Sequence, residues 1–121
     1  MRAELERACP QAATRAYSDF LLRTAVLGEF AELVAALLPC MWGYSELGQR
    51  LAQRPPPTEE RYARWIAMYS SEEFAKLARW CRELCDEAAA TAGEETRMRM
   101  REAFIASSRH ELELLESAWR C

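Results

Sequence analysis

The sequence contains few of the residues that interrupt helices. Among its 121 residues only 4 are glycine and 5 are proline, and three of the prolines are consecutive at positions 55–57. Ala, Leu, Glu and Arg dominate the composition, and these residues favour long helices over strands. No segment has the pattern of a strand, and there is no internal repeat. We therefore predict an all-α protein.

Other absences exclude several classes of protein. The chain has no apolar run of about 18 residues that could cross a membrane, and its N-terminus lacks the apolar stretch of a signal peptide. Lys and Arg number 16 against 19 Asp and Glu, without a basic stripe interleaved with aromatic residues, so nucleic acid is not an expected partner. We expect a cytoplasmic protein without membrane contact, whose five cysteines remain thiols.

The few helix breakers divide the chain into about five helices. We place them at 10–27, 30–53, 59–68, 72–90 and from 94 to nearly 121. Half of the residues are apolar, which is enough for a hydrophobic core, and 121 residues fit one domain over 1–121. A helical bundle is the expected architecture.

Residues at the predicted helix ends have the usual chemistry of caps. Pro10 suits the opening turn of the first helix, and Gly28 suits its C-terminal cap. Thr58 is the predicted N-cap of the third helix, and one of the serines at 70–71 is that of the fourth. Pro39, inside the second helix, has no amide hydrogen and is expected to kink or restart the helix there.

Cys40 lies at the centre of an apolar stripe on the second helix, at 100° per residue. The other members of the stripe are Leu33, Ala36, Leu37, Tyr44, Leu47 and Leu51. Tyr44 follows Cys40 by one helical turn, so the thiol and the ring are expected to be neighbours. Two interpretations stay open: a small core side chain beneath a core tyrosine, or a nucleophile that other groups activate.

Glu111 occupies the middle of the apolar stripe on the last helix, flanked by Ser107 and Ser108. The rest of that stripe is Met100, Phe104, Leu114, Leu115 and Ala118. A carboxylate buried without a partner costs several kcal/mol or becomes protonated, so its position needs a reason. It is either a structural hydrogen bond or ion pair, or a general acid that keeps its proton near neutral pH.

Cys81, Cys85 and the single histidine give weaker evidence for a functional site. Cys81 and Cys85 are one turn apart without a second ligand pair, so core filling is the better account. His110 lies beside the polar flank of the last helix and points about 100° away from Glu111, which supports neither a metal site nor a Cys–His dyad. Tyr17 lies on the apolar stripe of the first helix, where an ordinary core tyrosine is the default.

Four segments, in matching order and spacing, resemble those of the thiaminase II (TenA) family. Segment 37–48, LLPCMWGYSELG, is similar to the family's nucleophile segment, and 16–21, AYSDFL, to the helix before it. Segment 62–71, YARWIAMYSS, resembles the tryptophan-to-tyrosine stretch, and 104–111, FIASSRHE, resembles the final helix with its catalytic glutamate. The likeness covers nearly the whole chain.

The resemblance implies a fold and a set of residue roles. The family's haem-oxygenase-like helical domain is nearly twice as long, so the chain corresponds to its C-terminal half, without the N-terminal helices that supply an aspartate to the substrate's amino edge. Cys40 matches the nucleophile that adds to the pyrimidine ring, and Glu111 matches the acid that protonates the departing amine. Tyr17, Tyr44 and Tyr69 match tyrosines that line the pocket.

The implied reaction is hydrolysis of 5-aminomethyl-4-amino-2-methylpyrimidine, or of thiamin, to the 5-hydroxymethyl compound for thiamin salvage. No metal or organic cofactor is implied. The implied partners are the small aminopyrimidine substrate and either further copies of the chain, since the family forms homotetramers, or a complementary N-terminal half.

Two other interpretations compete with this one. A catalytically silent remnant, or a helical interaction module, would retain the same motifs by descent. A relative that binds haem or a quinone cofactor is disfavoured by the lone His110 and by Cys40.

Overall fold

The computed structural model describes residues 12–120, and the side chains of 12–119, as five α-helices joined by short connections. In chain order these are α1 (Ala12–Leu27), α2 (Phe30–Ala52), α3 (Glu60–Tyr69), α4 (Glu72–Thr91) and α5 (Glu94–Arg120). No strand occurs within this part of the chain. Within the described residues the predicted all-α class and the five helices are confirmed, while the expected helix start at Pro10 lies outside them.

Of the two N-cap residues predicted from the sequence, the structure contains one. Ser71 caps α4, and its hydroxyl accepts a hydrogen bond of 3.1 Å from the backbone N–H of Phe74. Thr58 is not the cap of α3, because Glu59 occupies that position with extended backbone angles. The Glu59 carboxylate makes no capping bond, since the Arg61 guanidinium binds it instead. The expectation for Thr58 is therefore wrong.

Helix α2 is the centre of the bundle and contacts all four other helices. It runs without a break from Phe30 to Ala52, so the predicted restart at Pro39 does not occur. The ring of Pro39 removes one amide donor from the helix. The contacts of α2 with the four other helices compensate for that loss, because tertiary contacts outweigh local propensity in a central helix.

The core consists mostly of small side chains on the faces of α2, α4 and α5. One cluster joins Ala35, Ala36, Met100 and Ala103, and a second joins Val34, Leu38 and Cys81. Cys85 packs against both clusters, so Cys81 and Cys85 are core residues, as expected. Small side chains allow the helices to approach closely, but they bury little apolar area each.

The apolar stripe predicted for α2 is only partly the buried face. Ser45 and Gly48 are buried, whereas Leu37 and Leu47 from the stripe are each 37% exposed. The prediction failed because it assumed one apolar face, whereas α2 is contacted from several directions and small residues face the closest neighbour. On α5, Leu115 is likewise 47% exposed although the stripe included it.

Gly48 permits the close approach of α2 to the end of α3. A Cβ atom at Gly48 would lie 2.6 Å from the carbonyl carbon of Tyr69, a distance at which the backbone must shift. We expect Gly48→Ala to lower the free energy of unfolding by about 1–3 kcal/mol, measured by urea denaturation. Gly43→Ala is the matched control in the same helix, because nothing lies within 4 Å of its added Cβ.

The control variant should be stabilised by up to about 1 kcal/mol, since alanine favours the helix. Equal effects of the two substitutions would show that α2 and α3 do not pack as described.

Candidate functional site

Two of the predicted site residues form a direct hydrogen bond between helices. The hydroxyl of Tyr44 on α2 donates to the Glu111 carboxylate on α5, with a distance of 3.0 Å between the oxygens. Both side chains are half-buried. Burial, followed by the negative charge of Glu111, raises the pKa of Tyr44 to about 12. This hydrogen bond gives the Glu111 carboxylate a partner on an otherwise apolar helix face. It therefore lowers the cost of burying the carboxylate there.

Cys40 lies one turn before Tyr44 and is a half-buried free thiol. Burial is the largest cause of its raised pKa, and the negative charges of Glu111 and Cys81 raise that pKa further. All three causes favour the protonated thiol over the thiolate. Cys40 therefore needs a proton acceptor before its sulfur can act as a nucleophile.

Tyr17 reaches the same neighbourhood from α1. Its hydroxyl lies 3.1 Å from the Ser107 hydroxyl, and its ring stacks on His110 with centroids 5.5 Å apart. Burial is the main cause that raises the pKa of Tyr17, and the charges of Glu111 and Cys40 add to the rise. The residue is thus a core tyrosine, only 7% exposed, that is also within electrostatic reach of both predicted catalytic groups.

Tyr69 belongs to an aromatic cluster of α3 and α4 side chains that packs against the Tyr44 ring. The ring centroids of Tyr44 and Tyr69 are 5.5 Å apart, and Trp65 is 4.6 Å from Tyr69. Phe74 on α4 meets Tyr69 edge-on at 4.9 Å. The cluster holds the Tyr44 ring in place from the side of α3 and α4.

A cavity of about 370 Å³ opens between α2 and α5 beside the Tyr44–Glu111 hydrogen bond. Its walls are mainly apolar, with Trp42, Leu47 and Phe104 among the residues that line it. Among the described residues Cys40, Tyr17 and Tyr69 adjoin Tyr44 or Glu111 without lining this cavity. The volume is in the range of small-molecule sites, which are roughly 300–1,000 Å³.

Two further residues of α5 were not identified from the sequence as part of this neighbourhood. Ser107, treated there only as a flank of Glu111, is completely buried and bonds to both Tyr17 and the Ala36 carbonyl. His110 was expected beside a polar flank, but it packs against Tyr17 and Phe20 because α1 covers that side of α5. The one-turn spacing of Ser107 and Glu111 was the available signal.

Neither a metal site nor a membrane span is found in the described part of the chain. Within 12–120, no three His, Cys, Asp or Glu side chains come together as a set of metal ligands. No helix of this segment combines the length and the apolar character that crossing a bilayer requires.

Sequence comparisons place the chain among known proteins. The sequence profile of the TENA/THI-4/PQQC family matches residues 1–121. A protein of Halalkalibacterium halodurans named aminopyrimidine aminohydrolase is 36% identical over 117 residues, which are 96% of this chain and 52% of that protein. A protein of the same name from Helicobacter pylori is 32% identical over 118 residues, 97% of this chain and 54% of its own length.

A third relative is the thiamine biosynthesis multifunctional protein ThiED of Corynebacterium glutamicum. It is 36% identical over 115 residues, which are 95% of this chain and 15% of that longer protein. The chain spans about half the length of the two aminohydrolases.

Proposed function

Because the chain belongs to the TENA/THI-4/PQQC family, we propose that it provides the nucleophile and the acid of an aminopyrimidine hydrolase in thiamin salvage. The family membership confirms the resemblance carried by the four segments. The proposed substrate is 5-aminomethyl-4-amino-2-methylpyrimidine, and the proposed products are the 5-hydroxymethyl pyrimidine and ammonia. Two similar proteins are named for this class of reaction, which supports the proposal.

In the proposed reaction the first half releases ammonia. The Cys40 thiol passes its proton to the Glu111 carboxylate, and its sulfur forms a bond to an electron-poor ring carbon. The displaced ring electron pair forms a double bond to the exocyclic carbon, and the bond from that carbon to the amine nitrogen breaks. Glu111 returns the proton to the departing amine, which leaves as ammonia.

The second half adds water. A water molecule gives its proton to the Glu111 carboxylate and forms a bond to the exocyclic carbon. The electron pair returns to the ring, the carbon–sulfur bond breaks, and Cys40 recovers its proton from Glu111. The sum consumes one water and releases one ammonia, and both catalytic residues end in their starting states.

The observation that carries this proposal is the position of Glu111. Tyr44 orients its carboxylate by a hydrogen bond of 3.0 Å, and its charge acts on Cys40 strongly enough to raise the pKa of the thiol. A thiol with a raised pKa is a poor nucleophile until a base takes its proton, and Glu111 is a base within electrostatic reach. The aromatic cluster around Tyr44 and Tyr69 offers a surface on which a pyrimidine ring can stack.

The test is ammonia release from 5-aminomethyl-4-amino-2-methylpyrimidine, with the hydroxymethyl product identified by mass. One arm uses the chain alone, and another adds a polypeptide comprising the part of the Halalkalibacterium halodurans relative that this chain does not match. The control compound is 4-amino-2,5-dimethylpyrimidine, which has the same ring and 4-amino group but carries a methyl group in place of the 5-aminomethyl group. Equal amounts of ammonia and product in either arm support the proposal, and none in both arms contradicts it.

A second proposal concerns association between copies of the chain. It is supported by apolar side chains that remain exposed near the α1–α2 connection. Leu22 is 64% exposed, Val26 77%, Leu27 78% and Phe30 63%. We propose that the chain self-associates through these side chains. Sedimentation at micromolar concentration should give a mass above the 13.9 kDa of one chain. Val26→Glu should reduce the association, whereas a compact monomer of the unaltered chain would contradict this proposal.

A further inference from the structure

The cavity between α2 and α5 borders the helical turn that carries Cys40. Pro39 precedes Cys40, Gly43 follows it by three residues, and both line the cavity although Cys40 itself does not. Tyr44 and Glu111 line it as well, joined by their hydrogen bond of 3.0 Å. The cavity therefore adjoins the carboxyl group that is proposed to give a proton to the departing amine.

The rest of the lining is mainly apolar. Trp42 and Leu47 line the cavity from α2, and Phe104 and Leu115 line it from α5. The volume of about 370 Å³ is far more than ammonia needs, because ammonia is about the size of a water molecule. If the amine leaves as ammonia, the apolar walls stay in contact with water, whereas an apolar substituent on the nitrogen would displace that water.

The charged side chains that line the cavity are both acidic. They are Glu46 and Glu111, and no lysine or arginine of the described residues is part of the lining. Glu46 forms an exposed ion pair of 3.8 Å with Arg50, so Glu111 is the carboxylate without a cationic partner of this kind. The guanidinium of Arg82 on α4 lies over the Trp42 ring, 4.3 Å from its centroid, and orients this wall. Such a cavity favours an apolar group attached to a positively charged nitrogen.

We propose that this cavity is the leaving-group subsite of the hydrolase and that it takes the alkyl substituent of a secondary amine. The substrate class then includes 4-amino-2-methylpyrimidines with a 5-(alkylaminomethyl) group. The proposal rests on the proposed hydrolase function, with Glu111 as its acid. The pyrimidine ring packs against the aromatic cluster of Tyr44 and Tyr69, the nitrogen contacts Glu111, and the alkyl chain extends between α2 and α5.

The reaction differs from that of the primary amine only in its leaving group. The bond between the exocyclic carbon and the nitrogen breaks, and the nitrogen keeps the electron pair and receives the proton of Glu111. An alkylamine departs in place of ammonia, and one water is consumed. Each methylene that enters the cavity should strengthen binding about 3-fold, the effect of burying one such group, until the cavity is filled.

The first test is a binding measurement that requires no turnover. Dissociation constants are measured by calorimetry on the Cys40→Ser chain, alone and with the complementary segment of the Halalkalibacterium halodurans relative. The ligands are 5-aminomethyl-4-amino-2-methylpyrimidine and its N-methyl, N-ethyl and N-propyl derivatives. We expect Kd to fall about 3-fold for each added carbon and roughly 30-fold over the series. Binding that is absent for all members, or that does not depend on the substituent, would overturn the proposal.

Filling the cavity should remove the preference for a longer substituent. Leu115 lines the cavity and is 47% exposed, whereas Leu112 on the same helix is 58% exposed and does not line it. Leu115→Trp should bind all four ligands within about twofold of one another, while Leu112→Trp, the matched control, keeps the full dependence. If circular dichroism shows that Leu115→Trp does not fold, Leu47→Trp fills the cavity from α2. Full dependence on the substituent in a folded, filled variant would contradict the subsite.

A carbon analogue tests the preference for a charged nitrogen. In 4-amino-2-methyl-5-pentylpyrimidine a methylene group replaces the nitrogen of the N-propyl ligand. We expect it to bind less tightly than the amine, because Glu111 attracts the protonated nitrogen. Equal or tighter binding of the pentyl compound would contradict the assignment of an amine to this subsite.

The subsite and the hydrolase can fail separately. In the unaltered chain, kcat/KM for release of the amine should rise in the same order as the binding affinities. Binding that depends on the substituent without release of any amine would support the subsite and contradict the hydrolase. Release of ammonia from the primary amine, with binding and kcat/KM that do not depend on the substituent, would do the reverse.

Discussion

Cys40→Ser is expected to abolish hydrolysis of the aminomethylpyrimidine while leaving the fold intact. A serine hydroxyl fits the half-buried site of Cys40, but it is a far weaker nucleophile than a thiol toward an electron-poor ring. The loss in kcat should be on the order of 10³-fold or more, the scale seen when a covalent nucleophile is removed. The unfolding free energy should change by about 1 kcal/mol or less.

Cys85→Ser is the control for this substitution. Cys85 is a partly buried thiol that packs against the core clusters and has no role in the proposed chemistry. Its replacement should leave turnover within about twofold of the parent chain, at some cost in stability. Turnover that survives in Cys40→Ser, or that is lost equally in Cys85→Ser, would remove Cys40 from the mechanism.

Glu111→Gln is expected to lower hydrolysis by about 10²- to 10⁴-fold, the range for loss of a general acid and base. Glutamine keeps the shape of the side chain and an oxygen that can accept the hydrogen bond from Tyr44. It has no proton to give to the departing amine, and it cannot take one from water. Ammonia release and urea denaturation, measured on the same preparation, separate the loss of catalysis from a loss of folding.

The charge removed by Glu111→Gln should also be visible in the titration of its neighbours. The pKa of Tyr44 is raised from 10.0 to about 12 in the folded chain, so the neutral phenol contributes stability that is present below about pH 10 and is lost as the pH rises to about 12. Without the carboxylate this pKa falls, although burial keeps it above 10.0, and the loss of stability ends at a lower pH. The pKa of Cys40 should fall as well.

Absorbance titration of tyrosine, with Tyr44→Phe as the subtracted reference, measures the expected fall in the pKa of Tyr44. Glu113→Gln is the control, because Glu113 is an exposed glutamate two residues along the same helix. It should change neither turnover nor the Tyr44 titration. Unfolding of Glu111→Gln at neutral pH would identify Glu111 as an ionised structural tie, and unchanged turnover would exclude it from catalysis.

Helix ends could be predicted from the sequence where a single residue determines them. The structure contains a connection at each of the positions marked by Gly28, the proline run at 55–57 and Ser71. The buried face of α2 could not be predicted in this way, because one periodic stripe does not describe a helix that is contacted by four others. Burial of Gly48 depends on how closely Tyr69 approaches, which is a tertiary distance and not a local property.

In the candidate site, too, local sequence features could be predicted, whereas contacts between distant residues could not. Glu111 was identifiable because a carboxylate within an apolar stripe conflicts with burial, and that conflict is visible in sequence. Its partner Tyr44 is 67 residues away on another helix, so the sequence could name this tyrosine only as one of several groups able to hold the carboxylate, beside Ser107 and Ser108. The one-turn spacing of Ser107 and Glu111 indicated that Ser107 is near the site, but its bonds to Tyr17 and Ala36 span 90 and 71 residues and could not be predicted from the sequence.

The central claim is that the pyrimidine ring contacts the Cys40 sulfur. Protection of this thiol from alkylation by a bound substrate analogue tests the claim most directly. The chain is alkylated with iodoacetamide in the presence of increasing 4-amino-2,5-dimethylpyrimidine, and the peptides of Cys40, Cys81 and Cys85 are quantified separately by mass spectrometry. The measurement is made alone and with the complementary segment used above. Labelling of Cys40 should fall in proportion to pyrimidine occupancy while the other two thiols are unaffected. Cys40 labelling that stays constant at saturating pyrimidine, with binding shown independently, would contradict the account.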